Sequence, residues 1–74
     1  MAWFMGIDIG SGTTKGVITK DSKPKAYHLL PSGVNYKTVA QKLRNELLTK
    51  AGLSPKDIAY TVITGYGADG IPFG

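Results

Sequence analysis

Two β-branched runs near the start of the chain flank a short loop of glycine and hydroxyl residues. This loop restricts the possible folds more than any other feature of the sequence. The first run, Trp3–Ile9, contains Asp8 close to its end, and the second, residues 16–20, follows Lys15. Both runs have strand composition, and a short glycine-containing connection is typical of a hairpin. Glycines in such a loop let successive backbone N–H groups point at one anion. The sequence therefore predicts a hairpin whose loop binds phosphate.

Hydroxyl residues, a lysine and an aspartate in and beside this loop suit the phosphates of a nucleotide and a bound metal ion. Hydroxyls add hydrogen-bond donors, and a lysine ammonium is a mobile charge suited to β- and γ-phosphates. Asp8 is the candidate catalytic residue, since one carboxylate beside bound phosphates can hold Mg²⁺ through waters. The alternative is a glycine-rich hairpin in which Asp8 caps the turn and the lysine is solvated. The candidate phosphate-binding residues are Gly10, Ser11, Gly12, Thr13, Thr14 and Lys15.

Better-known phosphate and metal motifs do not fit this context. A Walker A loop and a dinucleotide-binding loop both open a helix, whereas Gly16 here leads into a β-branched run. A ribonuclease-H-like nuclease also begins with an aspartate on its first strand, but it needs further carboxylates around two metals. Asp21, Asp57 and Asp69 are not expected to face Asp8, so the sequence does not favour a nuclease.

The rest of the chain predicts two more strands and one helix. Residues 25–30 and 58–64 have strand character, and Tyr36–Ala51 repeats apolar residues at helical spacing. Asn35 is placed to cap the helix start and Gly52 to end the helix in a left-handed conformation.

The predicted fold class is α/β, with a ribonuclease-H-like β-β-β-α-β order. A right-handed crossover through the helix places the fourth strand beside and parallel to the first, giving sheet order 3-2-1-4. A second glycine loop, formed by Gly65, Tyr66 and Gly67, then opens on the same sheet edge as the first loop. We expect residues 1–74 to form a single partial domain with an irregular tail at 68–74.

The alternation of side chains along the first strand predicts that no element of this chain packs on one face of the sheet. Phe4 and Asp8 point away from the face that carries Met5, Ile7 and Ile9, and one helix covers one face. A chain of 74 residues has a marginal core without help. We therefore expect the chain to be the first part of a larger domain, or to oligomerise.

Charge and composition argue against several other classes. The net charge of +4 comes from scattered lysines and one arginine, which does not resemble a nucleic-acid surface. The chain has no cysteine, so disulfides and thiolate metal sites are excluded. Its apolar N-terminal run is broken by Gly6 and Asp8, so neither a signal peptide nor a membrane span is expected. These observations predict a cytoplasmic protein with no nucleic-acid or membrane partner.

Residues 8–16 resemble the first phosphate motif of the actin, Hsp70 and sugar-kinase superfamily. Three further segments narrow this resemblance: Lys-Ala-Gly-Leu-Ser at 50–54, Asp-Ile-Ala-Tyr at 57–60 and Thr-Gly-Tyr-Gly at 64–67. Together they resemble the BadF/BadG/BcrA/BcrD ATPase family, the activators of 2-hydroxyacyl-CoA dehydratases and the ATPase subunits of benzoyl-CoA reductases. The resemblance covers nearly the whole chain and implies an incomplete actin-like ATPase lobe.

The resemblance implies an ATP-driven electron donor that binds ATP or ADP with Mg²⁺. Such proteins are homodimers that hold a 4Fe–4S cluster between subunits and pass an electron to a dehydratase or reductase. Asp8 carries over as a Mg²⁺ contact, residues 10–15 as phosphate contacts and residues 65–67 as the loop facing the nucleotide.

The chain also departs from the family pattern. It has no cysteine for the cluster, lacks the second phosphate motif and the adenosine pocket, and has Ala68 where many members have arginine. We therefore expect an N-terminal fragment that is inactive alone. The alternatives are a lobe of a small-molecule kinase of the same superfamily and a non-catalytic oligomerisation or binding module.

Overall fold

One four-stranded sheet and one helix make up most of the computed structural model, which describes residues 2–67, 70 and 71. The sheet order is β3-β2-β1-β4, with β1 parallel to β4 and antiparallel to β2. The predicted fold class, element order and sheet order are confirmed. The elements are β1 (Trp3–Ile9), β2 (Thr13–Lys20), β3 (Lys23–Pro31), α1 (Tyr36–Ala51), a 3-10 turn (Pro55–Asp57) and β4 (Ile58–Gly65).

Helix α1 begins and ends where the local sequence predicts. The Asn35 side chain accepts a hydrogen bond from the Thr38 N–H at 3.0 Å, and Gly52 takes a left-handed conformation with φ of 70°. Leu43 and Leu47 are fully buried on the face that packs against the sheet. Among the described residues, no helix is long and apolar enough to span a membrane.

Strand β1 has the predicted bounds, whereas β2 and β3 are longer than the sequence predicts. β2 begins at Thr13 rather than at residue 16, so the first loop is reduced to residues 10–12. β3 extends from Lys23 to Pro31, and the turn before it consists of Asp21 and Ser22, both with positive φ. The backbone ladder pairs Ile9 with Thr14 and Thr13 with Pro31, which side-chain propensity alone does not reveal.

The core lies on one face of the sheet, and the other face is open as predicted. Met5, Ile7 and Ile9 alternate inward against α1. On the opposite face Phe4 and Val62 remain nearly half exposed. In the predicted tail, Ile71 is buried in the same core, whereas residues 68, 69 and 72–74 lie outside the described part of the chain.

Candidate functional site

Three strands end at the same edge of the sheet. β1 and β4 are parallel, and β3 runs in the same direction because two antiparallel pairings separate it from β1. The first loop at 10–12, the segment after β3 and the loop at 65–67 therefore meet at this edge, where α1 also begins. Ligands of open α/β sheets bind outside the carboxyl ends of parallel strands. The structure thus brings both predicted glycine loops to one edge.

Asp8, Lys15 and Thr64 form a row across three adjacent strands at this edge. Asp8 is level with Lys15 on β2 and with Thr64 on β4, and all three side chains are exposed on the open face. The Thr64 hydroxyl donates a hydrogen bond to Asp8 Oδ1 at 3.2 Å. Within the described residues, no ion pair joins Asp8 to Lys15. A carboxylate and an ammonium are therefore both available to a ligand side by side.

The row borders an open cavity of about 330 Å³ on the open face. Asp8, Lys15 and Thr64 form its polar end, and side chains such as Tyr27 and Val62 form its apolar part. Since charged groups stay near water or near partners of opposite charge, an anionic ligand would bind at the polar end. This end coincides with the edge where the two loops meet.

The first loop is a tight turn that leaves N–H groups unpaired. The Gly10 N–H donates to the Thr13 carbonyl at 2.9 Å, and a Cβ at Gly10 would lie 2.7 Å from that oxygen. Ser11 and Gly12 form the exposed tip. In the part of the chain that the structure describes, their N–H groups make no hydrogen bond. Two backbone donors are thus available at the tip for an anion.

The two threonines after the loop point in opposite directions, because they lie on a strand. Thr13 is exposed, whereas Thr14 is fully buried and its hydroxyl lies 2.8 Å from the hydroxyl of Ser32. The Thr14 side chain therefore does not face the edge as a phosphate donor, contrary to its place among the candidate contacts. Its hydroxyl instead belongs to a buried hydrogen-bonded group beneath the loop.

The second loop is joined to the end of β1 by a backbone hydrogen bond. The Tyr66 N–H donates to the Ile9 carbonyl at 3.0 Å. This contact requires glycine at 65, where φ is +99° and a Cβ would lie 2.1 Å from the Ile9 oxygen. The Tyr66 ring stacks on Tyr36, the first residue of α1, with ring centroids 6.0 Å apart. Gly65 therefore lies at the edge, and the Tyr66 ring packs toward the helix.

Asp8 is the one carboxylate that could hold a metal at the described part of this edge. No group of three His, Cys, Asp or Glu side chains gathers among the described residues. That donor set does not suit a metal enclosed by protein ligands, but it suits Mg²⁺, which keeps most of its waters and also binds phosphate oxygens. The residues present therefore fit a magnesium ion that arrives with a nucleotide.

The contacts of Thr64 and Ser32 at this edge are not predicted from the sequence. The contact of Thr64 with Asp8 follows from the parallel register of β1 and β4, which the predicted sheet order could have supplied. Ser32 lies in a Pro-Ser-Gly segment that reads as a simple strand end, and no local signal indicates its contacts with the first loop.

Comparison with known proteins gives one consistent result. The sequence model of the BadF/BadG/BcrA/BcrD ATPase family matches residues 5–74. An activator of lactoyl-CoA dehydratase from Anaerotignum propionicum is 39% identical over 64 residues, which are 85% of this chain and 24% of that protein. A 2-hydroxyisocaproyl-CoA dehydratase activator from Clostridioides difficile is 41% identical over the same shares of the two chains.

A solved structure supports the same relationship in three dimensions. The crystal structure of Acidaminococcus fermentans (R)-2-hydroxyglutaryl-CoA dehydratase component A superposes with a TM-score of 0.83 and 32% identity. The match covers 95% of this chain and 27% of that chain. The chain thus spans about a quarter of the length of the relatives that it matches.

Proposed function

This chain belongs to the BadF/BadG/BcrA/BcrD ATPase family, and on that premise we propose that it is the phosphate-binding part of an ATP-dependent activator. One observation carries the proposal: Asp8, Lys15 and Thr64 lie in a row at the edge where both glycine loops meet. The row supplies a carboxylate and an ammonium, and the tip of the first loop adds unpaired backbone donors; together these groups suit a magnesium–nucleotide complex.

Each group has a distinct task in this proposal. The N–H groups of Ser11 and Gly12 donate to phosphate oxygens, and the exposed Thr13 hydroxyl adds a donor beside them. The Lys15 ammonium balances negative charge on the β- and γ-phosphates. Asp8, which accepts a hydrogen bond from Thr64, is the residue that would hold magnesium, through water. A magnesium ion there would neutralise part of the negative charge of the phosphates.

The loop at Gly65, Tyr66 and Gly67 lines the nucleotide side of the same edge. Its backbone hydrogen bond to Ile9 keeps it next to the first loop, and glycine at 65 permits close approach of a ligand. We expect this chain by itself to bind a nucleotide weakly and not to hydrolyse it, because the two loops would contact only one side of the phosphates.

The activity of the whole protein is also part of the proposal. The partner is a 2-hydroxyacyl-CoA dehydratase or a benzoyl-CoA reductase, and the activator is a homodimer that couples ATP hydrolysis to electron transfer. A 4Fe–4S cluster needs cysteine ligands, and this chain has none. Its residues therefore do not fit the cluster, and no step of electron transfer is assigned to them.

Titration of the chain with Mg-ATP, followed by NMR of backbone amides, tests this function. We expect saturable shifts at Ser11, Gly12 and Gly65 with an affinity in the millimolar range, and their loss in Lys15→Ala. Lys42→Ala is the matched control, since Lys42 is an exposed lysine on α1 whose removal changes the net charge equally.

Two results would overturn the proposal. Equal responses of the two lysine variants would mean nonspecific attraction of the anion to a basic chain. Dimerisation of the chain without any response to Mg-ATP would favour a non-catalytic binding module whose interface is the open face of the sheet.

A further inference from the structure

Ser32, directly after β3, makes two hydrogen bonds to the first loop and a third to Thr14 near the start of β2. It is only 2% exposed. Its hydroxyl donates to the Gly10 carbonyl at 2.6 Å and contacts the Thr14 hydroxyl at 2.8 Å, while its N–H donates to the Gly12 carbonyl at 3.1 Å. Ser32 is 22 positions from Gly10 in the sequence, so this contact exists only in the folded sheet.

The direction of each bond follows from the number of protons available. A serine hydroxyl has one proton, and Ser32 uses it on the Gly10 carbonyl, which can only accept. The Thr14 hydroxyl must therefore donate to Ser32. The result is a buried chain from Thr14 through Ser32 to Gly10, in which each bond polarises the next.

This arrangement decides which backbone groups the loop presents to a ligand. The carbonyls of Gly10, Gly12 and Thr13 all accept hydrogen bonds from within the chain. The N–H groups of Ser11 and Gly12 remain exposed at the tip. A phosphate is attracted by N–H dipoles and repelled by carbonyl oxygens, so a loop with its carbonyls turned inward is a better anion site.

We propose that Ser32 is a positioning residue for phosphate binding, which holds the Gly10 and Gly12 carbonyls inward and so aims the loop N–H groups at the anion. The proposal rests on the proposed nucleotide function of the same edge. Ser32 does not touch the ligand itself. It acts through the loop, and it is suited to this because its hydroxyl and its backbone N–H reach two different loop carbonyls.

The test compares three variants of the ¹³C,¹⁵N-labelled chain: Ser32→Ala, Ser32→Thr and Thr49→Ala. Thr49 is the matched control, because its hydroxyl also donates to a backbone carbonyl, at 2.9 Å, but on the exposed side of α1. The first measurement, without ligand, is the ¹³C shift of the Gly10 carbonyl. We expect it to move upfield in Ser32→Ala, to return toward the wild-type value in Ser32→Thr and to stay unchanged in Thr49→Ala.

The second measurement is the affinity for Mg-ATP from the Ser11 and Gly12 amide shifts. We expect Ser32→Ala to bind about tenfold more weakly, since a lost buried hydrogen bond leaves the loop free to reorient. Ser32→Thr should recover most of this loss, which a general loss of stability would not explain. An unchanged Gly10 shift, or wild-type affinity in Ser32→Ala, overturns the role of Ser32.

The two measurements separate this proposal from the proposed function. If the wild-type chain gives no saturable response to Mg-ATP, the nucleotide function fails, and the Gly10 shift without ligand still decides whether Ser32 orients the loop. If Ser32→Ala does not fold, Thr14→Val takes its place, since it removes only the hydroxyl that donates to Ser32. We then expect a smaller Gly10 shift in the same direction, and no shift overturns the proposal.

Discussion

Thr64 and Asp8 are level with each other on adjacent parallel strands, and the Thr64 hydroxyl donates to Asp8 Oδ1 at 3.2 Å. The two residues are 56 positions apart in the sequence. This hydrogen bond limits the orientations of a carboxylate that otherwise extends from an exposed strand end. It connects the sheet register directly to the geometry of the proposed magnesium contact.

Thr64→Val should weaken Mg-ATP binding about three- to tenfold, because Asp8 loses the donor that orients its carboxylate. The free energy of unfolding should change by less than about 1 kcal/mol, since Thr64 is exposed. NMR titration and urea unfolding measure the two effects. Thr64→Ser keeps the hydroxyl and should bind as the wild type does. Equal losses in both variants would contradict a role for this hydrogen bond.

Asp8→Asn should lower ATP turnover about a hundredfold or more, as removal of a positioned charge from a phosphoryl-transfer site typically does. The assay requires a complete protein, for example the Anaerotignum propionicum activator with its matching segment replaced by this chain. Asp21→Asn makes the same change of charge in the turn between β2 and β3 and is the control. Near-normal turnover with Asn at position 8 would refute the catalytic assignment.

Gly65→Ala should destabilise the chain by about 2 kcal/mol or more. Position 65 has a positive φ, and a Cβ there would meet the Ile9 carbonyl oxygen at 2.1 Å, so the backbone of the second loop must move. Urea unfolding followed by circular dichroism measures the loss. Gly12→Ala is the control, because a Cβ at Gly12 meets nothing within 4 Å. A similar loss at both positions would contradict the described geometry of the second loop.

Leu43→Ala should remove most of the folded population at room temperature. Deletion of a fully buried leucine costs about 2–5 kcal/mol, and small domains have little stability to lose. Val34→Ala should change stability by less than about 0.5 kcal/mol, since Val34 is fully exposed. Circular dichroism at 25 °C compares the two variants, and a folded Leu43→Ala chain would show that the helix contributes less to the core than its burial indicates.

Much of the fold could be predicted because its signals are local. The bounds of Tyr36–Ala51 follow from helical spacing, the Asn35 cap and Gly52, all of which act within one turn of the helix. The sheet order follows from the β-β-β-α-β order and the right-handed crossover. Strand ends were predicted less well, since Thr13 and Pro31 join their strands through backbone pairing with each other.

The segments that make up the candidate site could be predicted from the sequence, but the orientation of each side chain could not. Residues 8–15 and 65–67 carry the motif, and the sheet order places both segments at one edge. The motif places Thr14 among the phosphate contacts, but side chains alternate along β2, and the Thr14 hydroxyl is buried against Ser32.

The sequence alone determined the element order, the family and the segments of the candidate site, because periodicity, turn residues and motifs are encoded in neighbouring positions. Tertiary structure decided which side chains meet. Thr64 reaches Asp8 because two parallel strands pair in one register, and Ser32 reaches the first loop because β3 ends beside it. Such contacts depend on register and on the direction of buried hydrogen bonds, which arise only when distant segments pair.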